Sequence, residues 1–316
     1  MRVAVLMGGI SREREVSLAS GDGVASALER KGWDVARVVV DDEECGALAR
    51  ARAQVAFIAL HGRFGEDGGV QRRCEALGLP YTGSGPEASF RALEKTVAKR
   101  WFAAVGVPTP PWRRIEPPLC AERAAALVRE GPGFPCVVKP VSEGSSIGVS
   151  IVEGEEALGP ALEEVARLEG GSGPALVERF IAGREFTVGI VGESALPPVE
   201  LIPKRRFYDY RAKYDASSGT EYVVDPKLEP GLRKSLLALA LGAHRALGCE
   251  GVSRVDFRVD HDGHPFVLEV NTIPGMTPRS LLPKAAAAVG MDYSSLCEFL
   301  IRDALVRAAR RGKAVA

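Results

Sequence analysis

The first ninety residues alternate short apolar runs with longer amphipathic ones. Val3–Met7, Ala36–Val40 and Val55–Leu60 read as strands, while Glu15–Lys31 repeats its apolar positions at helical spacing. That alternation predicts a parallel α/β sheet, closed near residue 90 by the turn-rich stretch GLPYTGSGPEAS. A helical pattern through Glu87–Ala104 is stopped by the prolines of VGVPTPPW. The middle of the chain predicts an alanine-rich helix near 121–130, strands at Cys136–Lys139 and Val149–Val152, and a helix to about 168. EGGSGP, at 169–174, reads as a joint. Beyond it, Ala175–Glu178, Glu185–Val191 and Val199–Ile202 read as strands, 205–222 as a polar aromatic loop and 230–247 as a long helix. The last dozen residues read as a fraying basic helix.

The sharpest pattern is SRVDFRVDHDGHPFVLEVN, residues 253–271, which alternates on both sides of Asp262-Gly263. This is a hairpin signal. A two-residue loop there sets Asp256 opposite Glu269 and Arg254 opposite Asn271. One face then carries those four residues, and the other sends Val255, Phe257, Val259, Phe266, Leu268 and Val270 toward a core. Two opposed carboxylates repel unless a cation lies between them. Asp256, Glu269 and Asn271 offer hard oxygen ligands of the kind magnesium takes; a solvated polar face with Arg254 as counter-ion is the plainer alternative.

Between the strands at 136–139 and 149–152 lies KPVSEGSSIGVS. Gly144 and Gly148 let the backbone bend toward an anion, Ser145 and Ser146 add hydroxyls, and Lys139 adds a cation. Its lysine precedes the glycines and a strand follows them, so it is not a Walker A loop. The first strand ends in MGGISREREVSLASG without dinucleotide-fingerprint spacing, and Glu15 stands at the start of the helix that follows. ALHGRFGEDG brings His61 to the same rim of the sheet. RRFYDYRAKYDASSGTEY, residues 205–222, has the length and composition of an active-site cover, with a structural polar loop as the alternative.

Charge and composition exclude more than they assign. The 316 residues carry 41 basic and 41 acidic side chains, so no broad field draws nucleic acid or anionic lipid. Six cysteines without Cys-x-x-Cys spacing disfavour a zinc site or a disulfide framework. The N-terminal apolar run is too short for a signal peptide, and no stretch is long enough for a membrane span. A cytoplasmic address is expected, without nucleic-acid or membrane partners.

GGISREREVSLASG, LHGRFGEDGGVQ, PYTGSG, KPVSEGSSIGVS, EFTVGI, FYDYRAKY and RVDFRVD with VLEVNTIPGMTPRS run in one order along nearly the whole chain. Together they resemble the D-alanine-D-alanine ligase family of the ATP-grasp superfamily. The resemblance implies an α/β fold, α+β in its ATP-binding part, of three domains: an N-terminal one over 1–90, a central one over 91–174 and a C-terminal one over 175–316. It implies joining of two D-alanines with ATP for peptidoglycan precursors, in a homodimer. Lys95, Lys139, Gly144 and Ser146 would serve the phosphates, and Glu178, Arg179, Phe180, Ile181 and Glu185 the adenine and ribose. Phe207 and Lys213 would complete the nucleotide site. Asp256, Glu269 and Asn271 would hold two magnesium ions, with manganese as a substitute. Glu15 would orient the first D-alanine through hydrogen bonds with Ser145 and Tyr214, near His61. Arg254 and the Gly275 amide would stabilise an oxyanion, and Ser280 with Leu281 would hold the second D-alanine. LEK at 93–95 stands where the family usually has Met-Asp-Lys, which keeps the lysine.

Overall fold

In the computed structural model, residues 1–171, 173–203 and 219–314 are described. Strands β1 (Arg2–Gly8), β2 (Asp34–Val40) and β3 (Val55–Ile58) form a parallel sheet in the order β2-β1-β3. Alternate residues of β1 feed two cores, as a central strand covered on both faces must. Val3, Val5 and Met7 pack with Val24 and Leu28 of the helix Arg14–Arg30, and Ala4 and Leu6 with Val70 and Cys74 of the helix Gly69–Ala76. A Cβ on Gly21 would lie 2.4 Å from that of Met7, so only glycine lets the first helix lie this close to β1.

Strands β4 (Trp112–Ile115), β5 (Cys136–Pro140), β6 (Ser150–Val152) and β7 (Ala175–Arg179) make an antiparallel sheet in the order β4-β7-β5-β6. The third sheet holds β8 (Arg184–Val191), β9 (Ser194–Ala195), β10 (Val199–Ile202), β11 (Glu221–Val224), β12 (Val252–Val259) and β13 (Pro265–Asn271). Its order is β11-β10-β8-β12-β13, with β9 against β8.

The joints expected from the sequence shift. Because β7 is hydrogen-bonded to both β4 and β5, residues 175–179 belong to the central sheet rather than to the unit that follows. The helical pattern of 87–104 is two helices, Pro86–Leu93 and Lys95–Ala104, broken at Glu94, whose carboxylate accepts the Val97 N–H at 2.6 Å. Their Ala88, Ala92, Ala98 and Phe102 pack against Phe186, Val188 and Phe257, so they share the core of the third sheet. The basic C-terminal helix is far longer than a dozen residues. It spans Tyr293–Ala314 and buries Leu296, Leu300 and Ile301 against the first sheet.

The hairpin of β12 and β13 has the expected pairs Arg254 with Asn271 and Asp256 with Glu269, reached by two compensating departures. The loop is one residue longer, closed by the Asp260 N–H to His264 O at 3.1 Å with Gly263 at φ +84°, which pairs Phe257 with Val267. A bulge at Leu268 then restores the register at Asp256. The core face therefore takes Val267, fully buried, instead of Phe266 and Leu268.

Five of the six cysteines are buried and all six are free; burial pushes the thiols of Cys74, Cys136, Cys249 and Cys297 up to about 12, which removes them as nucleophiles. Among the described residues no helix is long and apolar enough to cross a membrane.

Candidate active site

Two cavities meet between the sheets. The first lies between the central and third sheets and is lined by Lys95, Lys139, Ser146, the run Glu178–Ile181, Glu185 and Asp256. The second opens toward the first sheet and is lined by Glu13, Glu15, His61, Ser145, Asn271, Gly275 and Ser280. Lys95, Arg254, Glu269 and Leu281 line both, so one cation pair and one carboxylate stand at the passage.

At the floor of the first cavity Glu178, 2% exposed, lies between two ammonium groups. Lys139 Nζ is 2.5 Å from its Oε1 and Lys99 Nζ is 2.6 Å from its Oε2. Burial opposes every charge here, but the pairing wins for two of the three groups. The carboxyl of Glu178 is held below the usual carboxylate range by Lys139 and Lys99, and Lys139 is raised by Glu178 and Glu269. Burial wins at Lys99, whose ammonium is lowered to about 8. Glu185 is held by Arg258 at 3.3 Å, and Arg258 also donates to the Ile181 and Gly183 carbonyls.

On β12, the Arg254 guanidinium grips both oxygens of Asp256 at 2.8 Å, and the buried Thr187 hydroxyl donates to Asp256 Oδ1 at 2.6 Å. Across the hairpin, Lys95 Nζ is 3.5 Å from Glu269 Oε2 and donates to the Glu143 carbonyl at 2.6 Å. Asn271 Oδ1 accepts the Ile273 N–H at 3.0 Å. The bulged Leu268 lines the first cavity, an outcome that strict alternation could not give.

The glycine and serine loop turns at its serines. Ser145 and Ser146 have φ of 52° and 57°, left-handed values uncommon outside glycine, while Gly148 has 70°; Gly144 is not among the left-handed residues. Gly144 lines the second cavity with Ser145, rather than the first with Ser146. The Ser145 hydroxyl donates to the carboxylate of Glu13.

Here the sequence reading is corrected: the carboxylate bonded to Ser145 is that of Glu13, not Glu15. Glu13 is buried and sits at the cap position of the helix Arg14–Arg30, whereas Glu15 borders the cavity but is exposed. Residues two apart on a helix point nearly opposite ways. The signal was present in the sequence, because the buried face Ser17, Ser20, Val24, Leu28 extends backward to 13.

His61 is buried with Nε2 3.3 Å from Ser20 Oγ and Nδ1 3.6 Å from Glu66 Oε1. Ser20 Oγ also accepts the Met276 N–H at 3.4 Å, which links His61 to the loop carrying Gly275 and Ser280. A Cβ on Gly275 would lie 3.1 Å from Ser280 Oγ, so these two are adjacent. Phe207, Lys213 and Tyr214 lie outside the described residues. Sequence reasoning missed Glu13, Glu66, Lys99, Thr187, Arg258 and Lys284, the last lining the second cavity with its ammonium over the Tyr222 ring.

Two antiparallel sheets that close on one cleft, with a glycine and serine loop on one side and an acidic hairpin on the other, define an ATP-grasp ligase fold. The family model for the D-ala D-ala ligase C-terminus matches residues 101–302, and that for the D-ala D-ala ligase N-terminus matches 44–84. The chain belongs to the D-alanine-D-alanine ligase family. It is 47% identical to a D-alanine-D-alanine ligase of Anaeromyxobacter sp. (strain Fw109-5), over 97% of this chain and 98% of that one. It is 46% identical to the one of Geobacter sulfurreducens, over 98% and 96%. The Bacillus anthracis ligase complexed with ATP superposes with a TM-score of 0.85 at 32% identity, covering 98% of this chain and 99% of that one.

Proposed function

We infer that this chain joins two D-alanine molecules at the expense of ATP, feeding peptidoglycan synthesis. The observation that carries the reading is the passage between the cavities: Lys95, Arg254 and Glu269 face both the cleft between the central and third sheets and the cleft lined by Glu13, His61 and Ser280. ATP lies in the first, with phosphates toward Lys95 and Lys139 and the adenine and ribose along Glu178–Ile181 and Glu185. The two D-alanines lie in the second.

A carboxylate is a poor acyl donor because oxide would have to leave. The carboxylate oxygen of the first D-alanine therefore attacks the γ-phosphorus of ATP, the bond to ADP breaks, and D-alanyl phosphate forms. The free amine of the second D-alanine then adds to that carbonyl, the proton passes to solvent or a neighbouring base, and phosphate leaves. Glu13, held by Ser145, receives the ammonium of the first D-alanine, the role expected of Glu15. Arg254 and the Gly275 amide meet the oxyanion, and Ser280 with the Leu281 amide meet the second carboxylate. The loop over 142–148 excludes water that would hydrolyse the acyl phosphate.

Asp256 and Glu269, directly paired across the hairpin, with Asn271, form an all-oxygen donor set that fits magnesium or manganese. Two ions held there would offset the negative charge of the transferring phosphoryl group. The reading extends to a cytoplasmic homodimer of three-domain chains, with joints after β7 rather than before it.

The test is phosphate release from ATP and magnesium with D-alanine, L-alanine, or D-alanine plus D-lactate, with products weighed by mass spectrometry. Release with D-alanine alone and a D-alanyl-D-alanine mass is expected. Release that requires another acceptor would overturn the substrate while leaving the ATP chemistry.

A further inference from the structure

Lys99 is 0% exposed, on the helix Lys95–Ala104 one turn beyond Lys95, and it lines neither cavity. Burying an ammonium costs several kcal/mol unless it is paired. Its partners are Glu178 Oε2 at 2.6 Å and the Thr109 hydroxyl at 2.6 Å. Glu178 and Lys139 both face the first cavity, and Lys99 stands behind them. A fold that needed only to satisfy Glu178 already has Lys139 at 2.5 Å to do so.

The arithmetic of charge shows what the second lysine adds. Glu178 with Lys139 alone is a neutral pair, and an anion in the cavity would meet an ammonium whose field its own carboxylate cancels. With Lys99 the cluster carries one net positive charge in a site of low dielectric, where Coulomb terms are large. The second ammonium also holds the carboxylate from behind, at its other oxygen.

We propose that Lys99 is a positioning residue for nucleotide binding: by countering Glu178 from the buried side, it leaves the charge of Lys139 available to the phosphates of ATP. The proposal rests on the ATP reading above. Lys99 lines neither cavity and reaches the nucleotide only through Glu178 and Lys139, so its charge acts on the phosphates while an uncharged adenosine feels little of it.

The experiment is calorimetric titration of ADP with magnesium, and of adenosine, into the wild-type chain and Lys99→Met, with a thermal melt to confirm folding. ADP affinity is expected to fall about tenfold, while adenosine affinity changes less than about twofold; tenfold corresponds to about 1.4 kcal/mol. Lys99→Gln, which keeps a donor for Thr109 and Glu178 but no charge, should show the same selective loss and covers the case in which the methionine variant does not fold. Unchanged ADP affinity in a folded variant, or equal loss for ADP and adenosine, overturns the proposal, the latter by showing a packing role. Wild-type protein that fails to bind ADP overturns the ATP reading itself, and is told apart because no variant is involved.

Discussion

The two acidic centres on the first cavity are built in opposite ways. Glu178 is sealed, its two oxygens each held by a buried lysine. Asp256 and Glu269 stand on neighbouring strands with side chains 19% and 30% exposed; Arg254 reaches Asp256 and Lys95 reaches Glu269. A carboxylate enclosed by two ammonium groups has no lone pair directed to solvent and cannot take a metal without breaking a buried pair, which costs several kcal/mol. The hairpin pair keeps an open side. The same residue type thus stands sealed at one wall and, in the proposed reading, as an exchangeable ligand set at the other, with burial separating the two.

Glu269→Gln is the strongest test of that division. It removes one charge from the open pair and leaves the sealed cluster intact, so magnesium-dependent turnover should fall by at least about a hundredfold, a loss of about 2.7 kcal/mol in the transition state. Adenosine binding measured by calorimetry should stay within about twofold. Near-normal turnover would remove Glu269 from the ligand set and leave it a partner of Lys95.

A second pair of carboxylates sharpens the comparison by repeating it two residues apart in sequence. Glu13 is buried against Ser145, and Glu15 is exposed. Glu13→Gln should lower dipeptide synthesis by about a hundredfold, as loss of the charge that positions the substrate ammonium does, while Glu15→Gln should stay within about threefold. Steady-state kinetics with varied D-alanine decide it, and a reversal of the two effects would restore Glu15 to the role.

What the chain disclosed by itself follows the reach of its signals. Periodicity of two placed Asp256 opposite Glu269, and apolar runs marked β1, β2, β3 and β5, because those patterns are local. The bulge at Leu268 was not legible: a loop one residue longer and a bulge of one residue cancel in the register, leaving only the swap of Val267 for Leu268 as a trace. The place of β7 in the central sheet was hidden for a different reason, since EGGSGP looks like a domain joint and strand partners are not written in composition. Lys99 was invisible because a lysine on a charged helix reads as solvated; only packing shows it enclosed. Glu13 alone was recoverable, from the 13, 17, 20, 24, 28 spacing of the buried helix face.

The finest division concerns what orients the open pair. Thr187 lies directly across from Asp256 in the register of β8 with β12, is 2% exposed, and donates its hydroxyl to Asp256 Oδ1 at 2.6 Å. Arg254 holds the same carboxylate from the side of the second cavity, so the group is fixed from two directions and keeps one rotamer. Thr187→Val keeps the β-branched shape that suits a strand and removes only the donor. The magnesium concentration for half-maximal activity should rise by about tenfold, as loss of a hydrogen bond behind a ligand does. Metal-induced protection against thermal unfolding in the presence of ADP should weaken in parallel. ATP affinity measured at saturating magnesium should hold. If both metal readouts are unchanged, Arg254 alone orients Asp256, and the open centre is held from one side only while the sealed one is held from two.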